Sequence, residues 1–157
     1  MIAFESFAKI LLVLHAVCAI VLVGSAGHLG WECLHYVRGR KRNVWLGTVH
    51  ARLGFVLYAA VFVLGLLAYP TYRVRVRHDV FDHSMPWATN LFDTKEMFGA
   101  FGMAAFLALF VMSFAVRPRE ESDRAMVLPF ALLGLLVSFV VGFDTVVGIL
   151  LVTFRSI

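Results

Sequence analysis

The chain has 157 residues, 61% of them hydrophobic and 15% charged, with a net charge of +4 and positive mean hydropathy. Four apolar blocks, each long enough for the about 20 residues a bilayer crossing takes, leave no room for a soluble domain, so one membrane domain over 1–157 is expected. Nothing in this balance points to nucleic acid, and the basic surplus speaks first to topology.

The first block covers about 6–37 and runs without a proline through His15, Cys18, Gly24, Gly27, His28, Glu32, Cys33 and His35. It is too long for a cleaved signal peptide and lacks a small-residue cleavage site, so a retained helix is expected. Cys18 and Cys33 fall about 22 Å apart at 1.5 Å of rise per residue, which excludes a bridge between them. A basic connection, Arg38-Gly39-Arg40-Lys41-Arg42, leads to the second block at about 44–69. That block carries His50 and Arg52 between Gly47 and Gly54 and stops at Tyr69-Pro70, where proline can end a helix.

The longest connection, about 71–94, begins with Tyr72-Arg-Val-Arg-Val-Arg77, whose alternation suits a short strand or an extended segment at the headgroups. His78 to His83 and Met85-Pro86-Trp87 read as a turn or short interfacial helix, with Tyr69, Tyr72 and Trp87 in an aromatic belt. The third block, about 95–116, opens at Asp93-Thr-Lys-Glu96, where the helix dipole favours carboxylates. Gly99, Ala100, Gly102, Ala104 and Ala105 give it a small-residue face for close helix contact.

Arg117, Arg119 and Arg124 mark the next connection. The fourth block, about 126–153, holds Pro129 in its first turn, then Gly134, Gly142, Asp144 and Gly148. The expected fold is all-α, an integral membrane four-helix bundle running up-down-up-down. The basic connections place the loops after helices one and three in the cytoplasm and both termini on the outer side of a bacterial inner membrane, multi-pass.

Ionisable side chains inside a membrane are costly and default to a functional explanation. His28 lies about 15 Å from the Arg38 end of its helix, and His50 about 10 Å from the Asn43 end of the next, at 1.5 Å per residue. Antiparallel neighbours joined by a short loop bring them to similar depth. Two imidazoles so placed can ligate a haem b iron from opposite faces, with Gly24, Gly47 and Gly54 clearing the backbone for the macrocycle. Arg52 and the Arg38–Arg42 run could pair with the propionates.

Other readings of the same residues stay open. The histidines could hydrogen-bond across helices as structural groups. His28, Glu32 and His35, at i, i+4 and i+7, project from one face and with His50 could hold a metal ion. Glu32-x-x-His35 is half of a di-iron carboxylate pattern whose second half is missing. In the remaining case Glu32 and His35 form an interfacial rim.

His15 and Asp144 make a second constellation, expected to contact each other as a proton or hydrogen-bond pair, with Ser138 and Thr145 as supplements. A second haem at His15 would need Lys95 or a methionine such as Met97 as partner. His78, Asp79, Asp82 and His83 could bind a divalent ion weakly. No glycine-rich phosphate loop and no activated serine or cysteine is visible, and the basic alternation suits anionic lipid.

Ala8-Lys-Ile-Leu-Leu-Val-Leu-His15, followed by an alanine-rich turn and Gly24, resembles the opening helix of copper-resistance-D-type membrane proteins and of haem-binding membrane protoporphyrinogen oxidases. Lys95 in Phe92-Asp-Thr-Lys-Glu96 matches a lysine those families place at the start of a helix. The resemblance implies that His15 is functional and Lys95 its counterpart. Together these readings point to a small b-type haem protein for electron transfer, an oxidoreductase if enzymatic, linked to quinone or to other membrane redox subunits. The alternatives are a non-haem structural or accessory subunit and a metal site at His28, Glu32, His35 and His50.

Overall fold

The computed structural model describes residues 4–40, 44–116 and 124–155. A 3-10 turn at Glu5–Phe7 enters helix α1 (Ala8–Val37), which a short loop joins to α2 (Val44–Tyr72). A π-helical segment (Arg73–Phe81) and a helical turn (Asp82–Ser84) follow. Then come α3 (Pro86–Ala115) and α4 (Arg124–Phe154). Four helices are long and apolar enough to cross a membrane. α1 packs on α2 and α4, and α3 packs on the same two, which makes an all-α bundle with neighbouring helices antiparallel.

The helices are apolar nearly all round, as suits chains whose outer surface meets lipid. Ile20, Val56, Val111, Phe139 and Val146 are exposed on the bundle's flanks. α1 ends on Gly39 in the left-handed region (φ 72°), with Gly39 N–H bonding Tyr36 O and Arg40 N–H bonding His35 O. That paired closure satisfies the last carbonyls and turns the chain sharply into α2.

Two apolar cores stack along the bundle. The larger, toward the loop after α1 (the basic end), is built from Leu22, Leu29, Cys33, Phe106, Leu109 and Phe130 among others. Glycine permits its tight crossings: a Cβ on Gly134 would overlap Cys33, and one on Gly54 would lie 2.8 Å from the Phe106 ring. The smaller core joins Val76, Phe81 and Ala88 to Val147 and Leu151 and closes the opposite, capped end.

That capped end departs from the expected loop. The chain stays helical through Pro70, and Arg73–Phe81 is π-helical, neither strand nor extended. A proline removes only one ladder bond, which a membrane helix tolerates when neighbours cover the gap. Val76 and Phe81 are five residues apart and both fully buried, so the i→i+5 turn puts them on one face. α3 starts at Pro86, ahead of the expected 95, because proline suits a helix's first position. Arg77 holds Asp93 with two bonds, 2.8 and 3.1 Å, fastening the segment to α3. Tyr72 stacks on Phe92 at 4.2 Å, and Trp87 meets Phe154 edge-on at 5.1 Å.

Candidate functional site

At the basic end, α1 and α2 bring His28 and His50 side by side. Their ring centroids are 5.2 Å apart and their planes 15° from parallel. Ser25, one turn before His28, sets the seam: its Oγ lies 3.2 Å from His50 Nδ1 and 3.5 Å from the His50 carbonyl oxygen. With Nδ1 engaged, His50 keeps Nε2 free, the arrangement that orients an imidazole as a ligand. His28 is exposed and has no hydrogen bond among the described residues.

The surrounding glycines divide. Gly24 and Gly27 face open space, with no atom within 4 Å of an added Cβ. Gly47 and Gly54 do not clear room for a macrocycle, because Tyr36 fills the first and Phe106 the second. Arg52 turns away from the histidines. It donates to Ser113 Oγ (3.0 Å) and Ser113 O (2.9 Å) and lies 4.1 Å over the Phe114 ring. Of the basic run, Arg38 and Arg40 are exposed, while Lys41 and Arg42 lie outside the described residues, as do Arg117 and Arg119.

Glu32 and His35 are buried, which their reading as a solvated rim did not foresee. His35 Nδ1 pairs with Trp31 O at 2.8 Å, and its ring packs on Trp31. Glu32 Oε2 is buried with no hydrogen-bond partner among the described residues. No group of three His, Cys, Asp or Glu side chains is gathered for a metal ion among the described residues, so His28, Glu32, His35 and His50 do not converge as four ligands. Rise along the helix accounts for part of this, since His28 and His35 share a face but lie about 10 Å apart along α1, at 1.5 Å per residue.

Toward the capped end, His15 and Asp144 find separate partners in place of the expected contact. His15 Nδ1 bonds Val61 O at 2.9 Å, and its ring lies against Gly65. Asp144 faces Tyr58, whose hydroxyl lies 3.5 Å from Oδ2 but donates to the Gly99 carbonyl at 2.9 Å. Asp144 Oδ1 is buried without a partner among the described residues. Ser138 bonds Ala26 O and Thr145 bonds Val141 O, so neither supplements the aspartate. Lys95 lies within electrostatic range of both His15 and Asp144.

Tyr58 escaped the sequence reading; its signal was an aromatic hydroxyl at mid-helix, opposite the small-residue face of α3. Met97 is exposed. On the surface segment, His78 pairs with Asp79, His83 bonds His78 O, and Asp82 accepts from Thr89. Those groups are already engaged with one another. Comparison with protein-family models, curated proteins and solved structures finds no match.

Proposed function

We propose that this multi-pass membrane protein is a small redox protein that holds haem b through His28 and His50 and transfers electrons. The observation that carries the reading is the near-parallel imidazole pair across the α1–α2 seam, with His50 Nδ1 tied to Ser25. A bound haem supplies a one-electron couple whose potential its axial ligands and burial set. His28 and His50 would be the residues that hold it; their rings stack at 5.2 Å, so at least one would have to turn its nitrogen toward the iron, and the exposed His28 breaks no hydrogen bond in turning.

The chain's own residues then have distinct tasks. Ser25 fixes the His50 ring and its free nitrogen. Gly24 and Gly27 leave the surface beside His28 bare. Leu22, Ala26 and Leu29 exclude water beneath the pair. Arg38 and Arg40 are the described cations at this end for carboxylate groups. The basic end faces the cytoplasm of a bacterial inner membrane, which leaves both termini outside.

A second reading has its own observation. Ser25 Oγ touches the His50 backbone as well as its ring, so α1 and α2 are in contact at this level. The two imidazoles then serve as a helix lock in an accessory subunit. The absorption spectrum of detergent-purified protein from haem-replete cells decides. The haem reading expects a Soret band, with visible bands that sharpen on reduction, lost in both His28→Ala and His50→Ala. A colourless wild type, or variants that keep the bands, favours the lock.

A further inference from the structure

Ionisable side chains mark the boundary between the two apolar cores. Along α4 the larger core ends at Val141 and the smaller takes in Phe143 and Val147, with Asp144 between those two. Along α3, Lys95 and Gly99 separate Phe92 from Met103, and on α1 His15 lies beyond Leu22, where the larger core stops. Tyr58 closes the layer from α2. Each helix thus contributes one ionisable side chain to a polar layer inside the bundle, and His15, Lys95 and Asp144 are only half-buried.

The layer is incomplete in a specific way. Asp144 Oδ1 is a buried acceptor with no partner. Lys95 makes no hydrogen bond or ion pair among the described residues, its amine lying 6.0 Å from the Phe92 ring centroid. His15 keeps Nε2 free because Nδ1 is taken by Val61. Three glycines back these groups: a Cβ on Gly65 would lie 3.5 Å from His15, one on Gly99 3.8 Å from Asp144 and one on Gly148 3.5 Å from the Lys95 chain.

We propose that this layer binds the headgroup of a lipid-soluble quinone or quinol. The charges select for it. An anion would meet Asp144 and a cation Lys95, whereas a neutral molecule with an acceptor at one edge and a donor at another satisfies both. A site within the bilayer's span draws its ligand from the lipid. Lys95 donates to an oxygen of the headgroup, and Asp144 Oδ1 and His15 Nε2 accept from quinol hydroxyls. Binding stands independently of His28 and His50; only its use in electron transfer rests on the redox reading above.

The test uses the full chain in lipid nanodiscs titrated under argon with the reduced, decyl-tailed benzoquinol, read as saturable quenching of tryptophan fluorescence against protein-free discs. Wild type binds saturably, and Asp144→Asn and Lys95→Met each weaken binding roughly tenfold or more, the loss of one charge-assisted hydrogen bond. His28→Ala binds as wild type does, whatever its absorption spectrum. Circular dichroism checks that each variant stays helical, and should Lys95→Met not fold, the near-isosteric Asp144→Asn carries the comparison. Wild type that quenches no more than empty discs overturns the proposal. So do folded variants that bind as wild type does, and a His28→Ala variant weakened as much as they are.

Discussion

The Tyr58 hydroxyl lies 2.9 Å from the Gly99 carbonyl oxygen and 3.5 Å from Asp144 Oδ2, within donating reach of both, with the shorter bond to Gly99. One phenol therefore ties α2 to the backbone of α3 while its ring packs on Phe106 at 4.8 Å. Tyr58→Phe keeps the ring and loses the bond. It should lower stability by about 1 kcal/mol, the net value of a single hydrogen bond, in reversible denaturation from mixed micelles. A variant as stable as wild type would show that the hydroxyl contributes nothing to this crossing.

Ser25 acts on the histidine pair through His50 and not by contact with a ligand. Under the haem reading, Ser25→Ala should weaken haem binding by roughly 10- to 100-fold, as removal of a partner that orients a ligand does. Titration of the apoprotein with hemin, followed at the Soret band, measures this. Affinity unchanged in Ser25→Ala, with His50→Ala still colourless, would mean that the bond at 3.2 Å does not orient the ring.

Glycines packed inside the bundle and glycines on its surface should respond in opposite ways. A Cβ on Gly102 would overlap Tyr58 and come within 2.9 Å of Val140, so Gly102→Ala should cost about 1–3 kcal/mol through overpacking. Gly24 faces open space, and Gly24→Ala should be neutral or stabilising by up to about 1 kcal/mol, since alanine is the better helix former. Thermal unfolding in one detergent compares them. Equal shifts would contradict the packing described for α2, α3 and α4.

Two arginines on the π-helical segment offer an internal comparison. Arg77 grips Asp93 with two bonds and is a quarter exposed, whereas the Arg75–Glu5 pair is exposed on both sides. Arg77→Ala should expose the capped end to limited proteolysis and lower the unfolding temperature. Arg75→Ala should leave both measurements as in wild type, as expected of an exposed ion pair.

The number and order of the helices were legible because each needs about 20 apolar residues and nothing else in the chain competes. The nearness of His28 and His50 was legible too, since a short loop forces antiparallel neighbours and rise per residue fixes depth. Rotation about the helix axis was not. Depth alone suggested that His15 meets Asp144, but packing turned one toward Val61 and the other toward Tyr58. The glycines were similarly ambiguous. A sequence shows that Gly47 and Gly54 leave space, not that Tyr36 and Phe106 occupy it. Val76 and Phe81 hid the capped end, because a five-residue spacing matches neither the helical nor the strand template.

The π-helical segment also stores slack. Each turn closed by i→i+5 bonds holds about one residue more than an α-helical turn. The nine residues Arg73–Phe81 thus contain more chain than their length along the axis requires. Removing one residue there lets the segment relax into α-helix, drawing on its own surplus before the seat of α3 must shift. Removing one from the middle of α2 would rotate every later side chain by about 100°, given 3.6 residues per turn. The capped end is where this bundle can change length and keep its register.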